Sequence, residues 1–391
     1  MRRGIAVVGA GLAGLRAAVT LRTEGFDGHL TILGAEPHRP YDRPPLSKGL
    51  LDGTVATEDL TLFEPDDLAA EWLLGDPVIG LDLIDRAITT ASGGRVTFDG
   101  LVIATGSTNR RLPNCPSGLP GMWSLRTLDE AQALRDALRT GTRLIVVGAG
   151  LVAMEVASAA NALGAAVEIV TVDPPLARFG EAIAHACADK LAECGVRVRT
   201  GRRVVRTDSS GGSVTVSLDD GSVLTADVLL VAIGAVPETG WLKDSGIPIE
   251  GGVSCDETLA VRGVSGVVAA GDVVRWPHPL FGGRPVQIGH WSNAVEQGAA
   301  AARTLLNGPD RAVPFAAVPS FWSDHWGTRL NGLGIAALAD RHEIVAGERS
   351  LIVAGYRGER LVSATGYGGA RLLAPYRAQL VRQAGRLEVT R

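Results

Sequence analysis

Cysteine is scarce in this 391-residue chain, and its placement excludes more than its number does. The four cysteines are Cys115, Cys187, Cys194 and Cys255. None forms a C-x-x-C or zinc-like pair, so neither a local dithiol motif nor a cysteine-based metal centre is expected. Cys187 and Cys194 fall about two turns apart on an expected helix and read as small buried hydrophobes. Lysine is rarer still, at positions 48, 190 and 243, although Lys and Arg together number 38. No apolar run reaches the ~18 residues that a membrane helix needs. The chain also lacks an excess of positive charge, with a net charge of −4, which argues against a generally nucleic-acid-binding surface. Only four residues precede the apolar run at Ile5. That leaves no room for a signal peptide and predicts a cytoplasmic protein. No low-complexity segment is present.

Glycine, by contrast, is abundant at 50 residues, and one ten-residue phrase occurs twice. Residues 9–18 read GAGLAGLRAA and residues 148–157 read GAGLVAMEVA. Each follows a short apolar run (IAVV at 5–8, LIVV at 144–147) and opens a segment of helical spacing. A lone glycine-rich turn is weak evidence. Two copies, each between strand and helix, predict two dinucleotide-binding halves. The chemistry is the same in both. Gly9 or Gly148 turns the chain tightly, and Gly11 or Gly150 lets backbone N–H groups approach a pyrophosphate. Gly14, or Ala153 in the second copy, packs helix against strand, and the helix N-terminus faces the negative charge.

The first half is predicted as strand 5–8, helix 12–24 and strand 30–33. Glu36 follows, 22 residues after Gly14, where a carboxylate can hold a ribose. Four prolines between 37 and 45 predict an extended path over 36–51 with no regular helix. The second half is predicted as strand 144–147, helix 151–163, strand 166–172 and helix 181–194. A second internal parallel is independent of the glycines: the halves close on LVIATG at 101–106 and LLVAIG at 229–234. A further strand is expected to end at Ala270-Gly271-Asp272, with a helix from about Ser292 to Asn307. The tail, 315–391, reads as a small sheet with a terminal helix at 372–384. The fold class is therefore α/β: two Rossmann-like dinucleotide-binding domains and a small C-terminal α+β interface domain. The expected boundaries are 1–110 with 238–314 for the first, 111–237 for the second and 315–391 for the third.

The motifs PYDRPPLSK at 40–48, ATGS at 104–107, SLRTLDEA at 124–131, AAGDV at 269–273, HWSNAVEQG at 290–298 and PSFWSD at 319–324 carry a resemblance. Across nearly its whole length the chain resembles the FAD-dependent ferredoxin reductases of bacterial monooxygenase and dioxygenase systems, the putidaredoxin reductase type. More distantly it is similar to apoptosis-inducing factor and glutathione reductase. The resemblance implies that Gly9, Gly11 and Gly14 cradle the FAD pyrophosphate and that Glu36 holds the adenosine ribose. It also implies that Arg43, Lys48, Val78 and Arg126 contact FAD, that Asp272 accepts a hydrogen bond from the ribityl chain, and that Trp322 packs near the isoalloxazine. Gly148 and Gly150 would receive the second nucleotide, and Glu155 would lie beside its nicotinamide. Lys48 and Glu155 are the candidate catalytic pair. A compact lysine charge at the flavin edge would favour the anionic reduced flavin. Against these stand plainer roles: an exposed loop lysine, a turn-capping Asp272, a Trp322–Trp326 structural cluster four residues apart, and a helix-dipole Glu155.

The implied reaction passes electrons from NADH through FAD to a ferredoxin-type iron–sulfur protein that feeds an oxygenase. FAD is needed because a hydride carries two electrons and an iron–sulfur cluster accepts one. Disulfide reductases of this fold carry cysteines in the loop that is 41–48 here, and this loop has none, which disfavours thiol chemistry. The second nucleotide site departs from the family at Ala153 and at Thr171, where the family's NADH-selective Glu aligns, with Asp173 two positions on. NADH is favoured over NADPH, for which no Arg cluster stands near. Gly289 occupies a position where many relatives have Glu. Two other readings stay open: a flavoenzyme acting directly on a small organic substrate in a biosynthetic pathway, and a nucleotide-gated binding protein. No metal site is expected, and the oligomeric state is monomer or homodimer.

Overall fold

The computed structural model describes residues 4–62, 68–347 and 350–388. The ends of the expected first and third domains therefore fall partly outside the described residues. The apolar runs at 5–8 and 101–103 lie in a parallel sheet, where both faces of a strand are covered and alternation is lost. That sheet has five strands in the order Val267–Ala269, Gly100–Ile103, Gly4–Val8, His29–Gly34, Glu71–Leu74. The second glycine phrase sits in an equivalent parallel sheet of Arg197–Thr200, Ala166–Thr171, Arg143–Val147, Val228–Val231 and Met122–Trp123. The helices Leu12–Thr23 and Leu151–Ala162 follow the two phrases. Helix bounds agree with the sequence reading to within one residue there, at Glu181–Glu193 and at Trp291–Asn307.

Two small antiparallel sheets were not expected. One joins Val78–Asp82, Ala87–Thr90 and Arg95–Thr97, the other Val204–Ser210, Ser213–Leu218 and Val223–Ala226. Their strands are short and half exposed, so they present no apolar run. The proline stretch also needs correction. Pro44 and Pro45 open a 3₁₀ turn, Pro44–Ser47, and a short α-helix, Gly49–Asp52, follows within the segment expected to hold none. Proline suits the first turn of a helix, where its missing N–H is not needed.

The tail forms a five-stranded antiparallel sheet in the order Ser320–His325, Thr328–Gly334, Arg360–Tyr367, Ser350–Arg357, Arg341–Gly347. The terminal helix runs Ala374–Glu388, later than expected, because a 3₁₀ turn at Ala370–Leu373 precedes it. The strand Ser320–His325 packs against the helix Leu151–Ala162. The turn after it is pinned there, where Trp326 donates its backbone N–H to Ser158 Oγ (2.7 Å) and its indole N–H to Asn161 Oδ1 (3.1 Å). No helix of the described residues is long and apolar enough to cross a membrane.

The helices Leu12–Thr23 and Trp291–Asn307 pack against each other, and Gly298 marks their closest approach. A Cβ there would overlap the Ala13 carbonyl and stand 2.9 Å from Arg16 Cβ. Gly298→Ala should therefore separate the helices and lower unfolding free energy by about 1–3 kcal/mol, measured by urea denaturation.

Candidate functional site

The repeated phrases are repeated geometry. Gly9 and Gly148 hold φ of +118° and +107°, a region that L side chains seldom enter. A Cβ at Gly9 would overlap the Ala104 carbonyl, and one at Gly148 the Ala232 carbonyl. These two alanines hold equivalent places in ATG and AIG, so both internal parallels of the sequence meet at one contact. Gly11 and Gly150 differ from them. Each is an N-cap without a side-chain cap, and a Cβ on either would meet nothing within 4 Å. Each thus leaves a helix N-terminus open to a phosphate. A Cβ at Gly14 would overlap the Gly9 carbonyl. Its counterpart Ala153 is fully buried.

A cavity of about 1050 Å³ runs between the two halves and the tail sheet. Gly9, Gly11, Glu36, Arg43, Lys48 and Val78 line it, and so do Arg126, Glu155, Asp272 and Trp322. Gly14, Gly148 and Gly150 do not face it directly. At one end Glu36 accepts from Arg43 Nη2 (2.5 Å) and from the Tyr41 hydroxyl (2.5 Å). Tyr41 in turn accepts from Arg43 Nη1 and from the backbone N–H of Leu128, both at 2.9 Å. Burial pushes the Tyr41 hydroxyl's pKa well up, so it stays a donor to Glu36. Tyr41 lay within the quoted PYDRPPLSK motif, yet the sequence reading passed it over. Further along, Asp272 Oδ2 accepts from Arg126 Nη2 and Ser107 Oγ, both at 2.8 Å. Asp272 therefore does more than cap its turn.

Lys48 is not an exposed loop lysine. Its ammonium lies 2.8 Å from Glu155 Oε1 and donates to the Pro44 carbonyl at 3.2 Å. Glu155 is 5% exposed. Its Oε1 also accepts from Ser323 Oγ (2.5 Å), and its Oε2 from Ser47 Oγ. The helix Leu151–Ala162, the proline loop and the strand Ser320–His325 thus converge on one carboxylate. Ser47 and Ser323 stood inside PYDRPPLSK and PSFWSD, but nothing in a serine's spacing shows that its partner lies over a hundred residues away.

Trp322 does not pair with Trp326. Its ring stands edge-on to Trp291, centroids 5.9 Å apart, and the Trp291 indole donates to Asp42 at 2.7 Å. His290, on the cavity wall, packs on Phe321 with centroids 5.0 Å apart. Burial first, then nearby Arg178, holds its pKa down at about 4, against the pull of Asp272. Cys115 also lines the cavity, half-buried. At the second strand's end the Thr171 hydroxyl donates to the Asp173 carbonyl (2.8 Å), and Asp173 is exposed. Among the described residues no group of three His, Cys, Asp or Glu could hold a metal ion.

The open helix N-terminus at Gly11, the carboxylate after the second strand and the elongated cavity fit a dinucleotide lying from Glu36 toward Lys48. A sequence profile of the pyridine nucleotide-disulphide oxidoreductase family matches residues 3–298. Rhodocoxin reductase of Rhodococcus erythropolis is 34% identical over 347 residues, covering 87% of this chain and 80% of that protein. The ferredoxin–NAD(+) reductase component of the biphenyl dioxygenase system of Paraburkholderia xenovorans is 37% identical over 336 residues, covering 85% and 81%. Putidaredoxin reductase, in its covalent complex with putidaredoxin, superposes with a TM-score of 0.91 at 28% identity, over 97% of this chain and 93% of that one.

Gly11 separates folding from binding. Gly11→Ala should change the melting temperature of cofactor-free protein little, because the added Cβ enters open space, while weakening FAD affinity at least tenfold by fluorescence titration. A second expectation concerns acid. His278, His290 and His325 are each held down to about 4 by burial. At these three rings the unfolded chain therefore binds more protons than the folded one between pH 6.5 and 4. The stability from keeping these rings neutral is fully present above pH 6.5 and is lost as pH falls toward 4, with a limiting slope of about 4 kcal/mol per pH unit for three protons. Urea denaturation across that window measures it.

Proposed function

The chain belongs to the pyridine nucleotide-disulphide oxidoreductase family, and from that premise we propose that it is an FAD-dependent reductase passing electrons from NADH to a ferredoxin-type iron–sulfur protein that feeds an oxygenase. The observation that carries the reading is the Lys48–Glu155 pair on the wall of a cavity that also reaches Gly11, Glu36 and Asp272. Bound FAD takes up two electrons as hydride and gives them up singly. The protein supplies position and charge. Gly9, Gly11 and Gly14 shape the phosphate turn, and Glu36, steadied by Tyr41 and Arg43, holds the ribose. Arg126 and Ser107 orient the Asp272 carboxylate toward the linker between phosphate and ring. Val78 and Trp322 close the cavity's sides. Lys48 places its ammonium at the reacting edge. Glu155 holds that ammonium and faces the incoming nicotinamide, whose phosphates belong at Gly148 and Gly150.

On this reading residues 1–110 and 238–314 carry FAD, 111–237 the nicotinamide nucleotide and 315–391 the cavity's third wall. Support for the discontinuous first part comes from Val267–Ala269, which completes the sheet of Gly4–Val8. The similar rhodocoxin reductase and biphenyl dioxygenase component suggest the acceptor class, and we place the protein in the cytoplasm. Thr171 offers a hydroxyl, not a carboxylate, to the second ribose, and NADH is preferred over NADPH because Arg202, whose backbone N–H donates to the Thr171 carbonyl (3.1 Å), is held by Asp220 at 2.7 Å.

The test is an anaerobic titration of the yellow protein with NADH, then NADPH, followed by candidate ferredoxins coupled to cytochrome c. NADH should bleach the flavin stoichiometrically, and a ferredoxin should restore its colour; failure of NADH to bleach it would sink the proposal. Lys48→Gln should slow bleaching about 10²-fold, the scale on which one preorganised charge acts, as read by stopped-flow absorbance.

A further inference from the structure

His325 has no part in the reading above, yet its setting is unusual. It is 2% exposed, and among the described residues neither Nδ1 nor Nε2 has a hydrogen-bond partner. A neutral imidazole carries one donor and one acceptor, and leaving either unmet in a buried site is costly. Ordered water is the small group that meets such needs in protein interiors. His325 stands two residues from Ser323 on the strand Ser320–His325, so both side chains face the helix Leu151–Ala162. Ser323 donates to Glu155, which holds Lys48. The groups around the ring are Lys48 from the proline loop, Asp324 on its own strand, Trp326 in the following turn (ring centroids 5.9 Å apart) and Tyr367 from the strand Arg360–Tyr367 (5.8 Å). Burial, and more weakly Lys48, oppose protonation of the ring, while Asp324 and the ring's own backbone favour it.

We propose that His325, with ordered water on both ring nitrogens, is the inner stage of a proton path leading from the Lys48–Glu155 pair past Ser323 and away from the cavity. The inference rests on the reductase reading and deepens it. With ferricyanide as acceptor the turnover is NADH plus two ferricyanide giving NAD+, one proton and two ferrocyanide. The hydride supplies two electrons and one proton. The electrons leave through the acceptor, and the proton must leave a site where Glu155, Ser47 and Ser323 are buried and the Lys48 side chain is 20% exposed. A neutral imidazole passes a proton by accepting at one nitrogen and releasing at the other.

The test uses holoenzyme reduced anaerobically with one equivalent of NADH, then mixed with ferricyanide and a pH indicator in weak buffer. In the unaltered protein, proton release should keep pace with flavin reoxidation. In His325→Phe it should lag about tenfold, with a larger solvent deuterium isotope effect on that phase and no slowing of reduction by NADH. His325→Gln keeps a polar side chain without a second ring nitrogen and should lag likewise, which guards against a misfolded Phe variant. A second readout needs no cofactor. In apoprotein labelled with ¹⁵N-histidine, the His325 ring N–H should exchange with water within milliseconds. Proton release at the unaltered rate in both variants, or a ring N–H that exchanges slowly, overturns the path. If NADH does not reduce the flavin at all, it is the reductase reading that fails.

Discussion

One buried ion pair holds the three parts of the chain to a common centre. Lys48 comes from a proline-stiffened loop, Glu155 from the helix after the second glycine turn, and the hydroxyls that complete the carboxylate from Ser47 and Ser323. A buried pair adds little net stability over an apolar replacement, but loss of one member costs roughly 3–5 kcal/mol because the other charge is stranded. The arrangement therefore specifies geometry more than it strengthens the fold. It also keeps an ammonium partly shielded from water beside the cavity, where its field is stronger than in bulk solvent.

Charge alternates along the rest of the cavity. Glu36 with Arg43 and Asp272 with Arg126 are pairs whose partners orient each carboxylate. Neither pair is isolated: Arg43 also donates to the Arg126 carbonyl at 2.6 Å, and Arg126 Nε donates to the Ser107 carbonyl at 3.0 Å. A ligand spanning from Glu36 to Asp272 meets a pre-set sequence of acceptors and donors, and little ordering is left to be done when it binds.

The two halves were legible because their signals are local. An apolar run, a glycine turn and a helix lie within twenty residues of one another, and parallel strands buried on both faces advertise themselves as unbroken hydrophobic stretches. The small sheets at 78–97 and 204–226 were not legible, since short half-exposed strands carry weak patterning. The same divide runs through the site. Gly9, Gly11, Glu36 and Lys48 belong to contiguous motifs. Ser107 and Ser323 act through partners over a hundred residues away, and Tyr41, although close in sequence to Glu36 and Arg43, is also bonded by Leu128, 87 residues on; no spacing rule reaches that far. Trp322 shows the hazard of reading proximity from sequence, because its ring meets Trp291 and not Trp326. On a strand i and i+4 do share a face, but Trp326 lies past the strand's end, in a turn with φ of +46°.

The placing of Val267–Ala269 beside Gly100–Ile103 has a consequence for biosynthesis. As the chain emerges from the ribosome, the amino-terminal sheet reaches four strands and then waits for the whole intervening nucleotide unit to be made before its last strand arrives. Through that interval Gly100–Ile103 is an uncapped edge of aliphatic side chains, the kind of surface on which nascent polypeptides stick to one another. The inserted sheet does not close a core of its own: Leu46, Leu50 and Leu51 from the earlier segment and Leu330 and Val353 from the tail share one with Leu144, Ile169 and Leu230. Completion of the inserted half therefore waits on residues translated on both sides of it.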